Sequence, residues 1–297
     1  SDYHQFVWQY YLVPPWVDFS IGASTTGSQI EEPKDEAELS IMFDKTSRKG
    51  NTLNAYYSHR NKKFGWSLYG SGNLQNASDV NADHFSDLPK VKSFSFNPTL
   101  FYYPSDNSEW RFSLNSSYEE RIGGDIDYIN HKITPQHSFY EENTSKRIAS
   151  QVTFQKEISE NSSFNFKNSV SYFNRELALP NYVFKGKQLA TFTEITYNKY
   201  KEKNDWVFGS NLITENFKEN PMANLDRSYQ QITFGGFSQH NWNIKEDFTL
   251  ESGLRLDVNN NYGLFVLPRI SMFYQFNEKV SSRFGIGYGY KIPSIFT

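Results

Sequence analysis

The feature that most constrains this 297-residue chain is the rhythm of its connections. From about residue 36 onward, alternating segments of roughly ten residues, the length that crosses a bilayer as a tilted strand, are joined by links that are short, then long, then short again. Short links fall at 60–63, 104–108, 156–162, 199–204, 243–247 and 276–279, and longer polar stretches at 73–90, 119–146, 175–187 and 215–227. Two further links, 45–51 and 259–263, are shorter but lie on the long-link side of the alternation. A soluble sandwich has no physical reason to sort long loops to one end. A transmembrane barrel does, because its two ends face different compartments.

The faces agree with that reading. Phe94, Phe96, Pro98, Leu100 and Tyr102 share one side of a strand whose other side carries Ser93, Ser95, Asn97 and Thr99. Trp110, Phe112 and Leu114 repeat the arrangement after the next turn, followed by Phe166 and Val170, Phe208, and Leu250 and Leu254. The opposite sides carry Arg111, Lys167, Glu251 and Arg255. Phe64, Trp66, Tyr102, Trp110, Trp206, Trp242 and Phe248 stand close to the short turns, where an aromatic girdle belongs. Composition fits: 26 Phe, 20 Tyr and 6 Trp make 18% of the chain, while mean hydropathy is only −0.68. Such a chain is too polar for an aliphatic core and suits a surface divided between lipid and water. The predicted fold class is all-β: an antiparallel transmembrane β-barrel meander of about 12–13 strands, part of a larger barrel, since an open sheet would leave two unpaired edges. A large soluble sheet with one wet face is the alternative.

Several function classes drop out. A net charge of −3 and the lack of any long basic tract argue against nucleic acid. Without cysteine there is no disulfide, thiolate metal site or thiol nucleophile. No window of 18 uninterrupted apolar residues is present, so no transmembrane helix is expected. The six histidines (His4, His59, His84, His131, His137, His240) show no metalloprotease spacing, and no Gly-x-Ser-x-Gly elbow occurs. The glycine-rich stretch at 69–73 lies on a strand and opens no helix, so it predicts no phosphate cradle. No cofactor and no enzyme activity are expected.

The stretch "YGLFVLPRISMFYQFNEKVSSRFGIGYGYKIPSIFT", residues 262–297, resembles the mid-barrel region of TonB-dependent outer-membrane receptors. In that family an Asn-Pro-Arg element starts a strand, a Tyr and a short turn follow, and the next strand ends in Gly-x-Gly-Tyr-Arg-Ala-Pro-Ser. Here the matching residues are Pro268 and Arg269, Tyr274, the turn Asn277, Glu278 and Lys279, then Gly287, Gly289, Tyr290, Lys291, Pro293 and Ser294. Leu267, Lys291 and Ile292 stand where the family has Asn, Arg and Ala. The segment 248–260 is similar in style, and the loops resemble those of receptors from Bacteroidota. The resemblance implies a barrel of about 22 strands around a plug, with residues 33–297 as a partial barrel lacking the TonB box and most or all of the plug. Residues 1–32 do not read like the plug ending expected there and are left unassigned. The implied function is uptake of a scarce nutrient, such as an iron–siderophore complex or cobalamin, across the bacterial outer membrane. The implied partners are TonB–ExbB–ExbD acting through the plug, outer-membrane lipid and a small nutrient ligand. A passive porin, an enzymatic barrel and a soluble surface-attached β module remain alternatives.

Three sets of residues are candidate sites. The long loop 119–146 combines Arg121, Tyr128, His131, His137, Phe139 and Tyr140, aromatics with a few charges that suit capture of a nutrient ligand. Arg255 and Arg269, on the polar face, are expected to face the plug. Asp79, Asn81, Asp83 and Asp87 space oxygen ligands like the start of a calcium loop, although His84 stands where Gly is expected and no Glu completes the loop. A solvated acidic loop explains the same residues.

Overall fold

The computed structural model describes residues 32–132, 137–220 and 226–292. Thirteen strands form one sheet in which each pairs antiparallel with its sequence neighbour. They are β1 (Glu38–Lys45), β2 (Gly50–Asn61), β3 (Phe64–Gln75), β4 (Lys90–Ser105), β5 (Ser108–Gly124), β6 (Tyr140–Ser159), β7 (Ser162–Leu179), β8 (Tyr182–Lys199), β9 (Asn204–Glu219), β10 (Tyr229–Lys245), β11 (Phe248–Asn259), β12 (Gly263–Asn277) and β13 (Val280–Gly287). One helical turn, α1 (Ile126–Ile129), follows β5. The sheet is open: β1 and β13 are its edges and do not pair with each other among the described residues. All thirteen strands belong to one compact unit, Glu32–Gly289. Pro293 and Ser294 lie outside the described residues.

The two faces invert the usual rule of burial. Ser58, Ser67, Thr99 and Ser113 are direct cross-strand neighbours on β2 to β5, and all four are buried. Gln188, Glu194, Asn211, Thr233, Gln239, Asp257, Asn259 and Ser271 continue that inner face, buried as well. The other face leaves Phe96, Leu100, Phe112, Leu114, Val170, Phe208 and Leu254 exposed. On a single-layered sheet, burial comes from side chains converging on a concave face, while those on the convex face splay apart. The concave face here is polar and the convex face apolar, as lipid outside and water inside require.

Charges obey the same division. Lys167 meets Glu194 at 3.8 Å, Arg111 meets Glu109 at 2.9 Å, and Arg269 meets Glu251 at 3.5 Å, all on the inner face. Register follows from this: because side chains alternate with period two, a slip of one residue would carry these charges into lipid.

At the short-turn end, outward aromatics link into a band. Phe64 stacks on Tyr102 (5.0 Å), Trp110 on Phe154 (4.4 Å), Trp206 on His240 (4.1 Å), and Tyr274 meets Phe276 edge-on (4.8 Å). Aromatic rings with one polar edge settle where hydrocarbon meets water. At the opposite end the strands run past the apolar band. The stretch 175–187, which reads as a long link, is a hairpin instead. Leu177 pairs with Phe184 and Leu179 with Tyr182, so only Pro180 and Asn181 connect β7 to β8. Beyond the bilayer both faces meet water, so polar residues there do not signal a loop.

Candidate functional site

The next-neighbour order brings the two long loops of the first hairpins together, because β4 carries one on its start and pairs with β5, which carries the other on its end. Residues 76–89 close on themselves through a short bridge between Ser78 and Leu88. Their acidic side chains are spent on backbone donors: Asp79 accepts from the N–H groups of Ala82 (2.8 Å) and His84 (2.9 Å), Asp83 from Phe85 (2.9 Å), and Asp87 from Val80 (2.6 Å). Asn81 bonds the Asp83 carboxylate at 3.0 Å. Ala82 and His84 take left-handed φ of 60° and 67° to make this turn. Among the described residues no group of three or more His, Asp or Glu converges closely enough to hold a metal ion.

This loop packs on the chain leaving β5. The N–H of Ser86 bonds the Gly124 carbonyl, and the Ser86 hydroxyl accepts from the Gly124 N–H, each at 2.9 Å. Gly124 has φ +117°, and a Cβ there would collide with the Phe139 carbonyl and Tyr140 Cα, so the junction requires glycine. Asp125 anchors the far side of the second loop, accepting from the Phe139 N–H (2.6 Å) and lying 3.6 Å from His137 Nδ1. His137 in turn faces His84 (5.4 Å), and Phe139 stacks on Phe85 (5.9 Å). Beneath these contacts lies a cleft of about 220 Å³ whose lining includes Phe85, Arg121, Phe139 and Glu141. Arg121, paired with Glu119 at 3.3 Å, is its cation.

The six loop candidates therefore divide. Arg121 and Phe139 line the cleft, while His137 lies outside its lining, against His84. Tyr128 and Tyr140 stack on each other at 4.3 Å, and the Tyr128 hydroxyl donates to Glu142 (3.1 Å). Tyr140 and Glu142 share the outer face of β6 with Ile148, so this pair lies on the other side of the wall. Burial, then the Glu142 carboxylate, pushes the Tyr128 phenol up to about 12. His131 lies in the turn after α1, exposed, with φ 59°.

On the inner wall Arg255 bonds Asp257 (2.9 Å from Nε) and Asn211 (3.0 Å), with side chains 13% and 3% exposed for the ion pair. Gly235 lies beneath all three, leaving room for the guanidinium. Arg269 reaches Glu251.

A second inner-face cluster escapes sequence reasoning. Near the long-loop end of β8 to β10, Glu215 accepts from Gln188 (2.7 Å) and from the Tyr229 hydroxyl. Alongside, Phe217 stacks between Phe184 (6.4 Å) and Tyr229 (5.5 Å). Arg227 caps the group, pairing with Glu219 and reaching the Tyr182 hydroxyl at 3.2 Å. Its members are scattered over 182–229, and only register assembles them; the one legible signal is aromatics on an otherwise polar strand face. Chemically, this surface and the cleft offer rings, guanidinium groups and amides. They are equipped to bind a polar ligand.

The sequence matches the family model described as "TonB dependent receptor-like, beta-barrel" over residues 18–297. No curated protein sequence matches it. Among solved structures, it is similar to the siderophore receptor PirA from Acinetobacter baumannii (TM-score 0.72, 16% identity, 89% of this chain and 44% of that one). A variant of the ferric enterobactin receptor PfeA from Pseudomonas aeruginosa gives a TM-score of 0.68 at 14% identity, over 90% of this chain and 45% of that one. The copper transporter OprC gives 0.71 at 11% identity, over 90% and 48%. The chain thus spans less than half the length of these structures, and at such identity they share its fold. With the family model covering nearly the whole sequence, the chain belongs to the TonB-dependent receptor β-barrel family.

Proposed function

We propose that this chain forms barrel wall of an outer-membrane receptor that imports a scarce nutrient by TonB-dependent transport, an iron–siderophore complex or cobalamin being the leading classes. The observation that carries this reading is the inversion of the two faces: exposed apolar side chains outside, buried and ion-paired polar ones inside. A wall of that kind separates lipid from a hydrated passage. In this reading Arg121 and Phe139 receive ligand at the cleft, His137 receives it from the neighbouring loop surface beside His84, and Tyr128, Tyr140 and His131 hold the loop from outside. Arg255 and Arg269 face a plug through which TonB–ExbB–ExbD acts. The chain works in transport and recognition, not in making bonds.

The test is to disrupt the reading frame in its host and measure uptake of labelled ferric siderophores and cobalamin, with and without an uncoupler of the proton gradient. Energy-dependent loss of one nutrient class, restored by complementation, is expected. Uptake that persists, or that ignores the gradient, points to passive flux and overturns the proposal.

A further inference from the structure

Along the inner wall Arg111 holds Glu109, Arg121 holds Glu119, Arg255 holds Asp257 and Arg269 holds Glu251. Arg147 of β6 and Arg175 of β7, on the same face, hold no carboxylate among the described residues. Arg147 lies half-buried over the Phe173 ring, 4.8 Å from its centroid, and makes no ion pair or hydrogen bond with a described residue. Arg175 donates from Nε to the Asn143 side-chain oxygen at 3.0 Å, which leaves its two terminal nitrogens for another acceptor.

Register makes the two arginines a unit. Arg147 opposes Phe173 and Ser145 opposes Arg175, so the guanidinium groups start from diagonal positions. Such positions lie about 7–8 Å apart, within reach of long side chains. The carboxylate diagonal to Arg147 is Glu119, and it turns to Arg121 at 3.3 Å. Glu141 stands nearer the loops, in the lining of the cleft. Ser117 opposes Arg147, and Ser145 lies between Glu119 and Arg175. A guanidinium drawn out of water without a counter-charge is costly, and two diagonal to each other also repel.

We propose that Arg147 and Arg175 form an oxyanion site on the inner wall, which takes a carboxylate or phosphate group of the imported nutrient. The inference rests on the transport reading above and adds the charge of the cargo. An oxyanion between the two guanidinium groups turns their repulsion into two attractions, made through forked, charge-assisted hydrogen bonds. Arg147, placed over the Phe173 ring, meets the anion from the short-turn side, and Arg175 meets it from the loop side. The Asn143 amide and the Ser117 and Ser145 hydroxyls donate to the remaining lone pairs. Arg121 opposes Asn143, so the site continues the wall directly beneath the loop cleft. A ligand leaving the cleft meets these two cations next.

The experiment uses the protein purified from host membranes in a neutral detergent. It is dialysed to equilibrium against labelled citrate and, separately, labelled pyrophosphate, at constant ionic strength. One saturable site is expected for at least one of the two anions, and the tighter one names the group. R147Q and R175Q should each weaken that binding about tenfold, while R60Q, which removes the same charge at the short-turn end of β2, should bind as the parent does. R147M removes a charge that has no carboxylate, so its anion-free Tm should not fall. Absence of saturable binding, equal weakening by R60Q, or parental binding by R147Q and R175Q overturns the proposal. So does a lowered anion-free Tm in R147M, which would give Arg147 a structural partner instead. Saturable binding without gradient-dependent uptake of any labelled nutrient overturns the transport reading and leaves the site standing. Gradient-dependent uptake without saturable anion binding overturns the site alone.

Discussion

Replacing Leu114 by Arg and, separately, Asn115 by Arg places the same charge on adjacent residues of β5 that point to opposite faces. Leu114 lies midway between the girdle residue Trp110 and Tyr118, where the charged outer surface begins. Four residues in each direction amount to about 14 Å along the strand at ~3.4 Å per residue. At a tilt of about 40° that is about 10 Å of depth on either side, near the middle of an apolar band about 25 Å tall. A midplane Arg on the lipid face costs about 2–4 kcal/mol, so L114R should lose that amount. Asn115 shares the inner face with Arg111 and Glu109, where a guanidinium meets water and carboxylates. N115R should therefore stay within about 0.5 kcal/mol of the parent, as surface substitutions do. The assay is guanidinium titration of the receptor folded into short-chain phosphatidylcholine vesicles, read by tryptophan fluorescence. Equal costs for the two variants, or a neutral L114R, would refute the assignment of faces.

Other consequences concern the inner wall and the loops. Phe237 packs its ring against Gly209, so Gly209→Ala forces the ring aside; a loss of about 1–3 kcal/mol is expected in the same titration. Asp257→Ala leaves the Arg255 guanidinium buried beside Asn211 without its carboxylate and should cost about 3–5 kcal/mol. Adding Arg255→Met to it should recover much of that loss, and a double-mutant cycle with no coupling would count against the pair. The Tyr128 phenol, raised to about 12, should titrate lower in Glu142→Gln, as read by ultraviolet difference absorbance. Because its folded value lies above the unfolded value near 10, the contribution of Tyr128 to loop stability is full below about pH 10. It is lost as pH rises through the folded value.

The wall of this protein was open to reading from sequence because one physical rule governs it throughout. Between the girdle and the outer leaflet each strand has lipid on one side and water on the other. Phe112 and Leu114 must then alternate with Arg111 and Ser113, and the pattern shows without knowledge of any partner strand. Short turns at Asn277–Lys279 or Lys62–Lys63 are legible for the same reason, since they interrupt that alternation abruptly. Above the bilayer the rule lapses. Both faces of 175–187 meet water, its polarity carries no period, and a continuous hairpin resembles a loop.

Site residues were legible as chemistry but not as geometry. Composition marks loop 119–146 as rich in rings and charges, yet only pairing of Arg121 with Asn143 and Gly124 with Tyr140 decides which wall face each side chain joins. The carboxylates of Asp79, Asp83 and Asp87 look alike in sequence, and their engagement with backbone N–H groups appears only when the loop folds. Arg255 finds Asn211 across two strands, and Glu215 finds Gln188 and Tyr229, through registers set by every hairpin between them. Alternation is a local property, enforced residue by residue by the solvent on each side. Partnership across strands is cumulative, and it exists only once the whole sheet is in register.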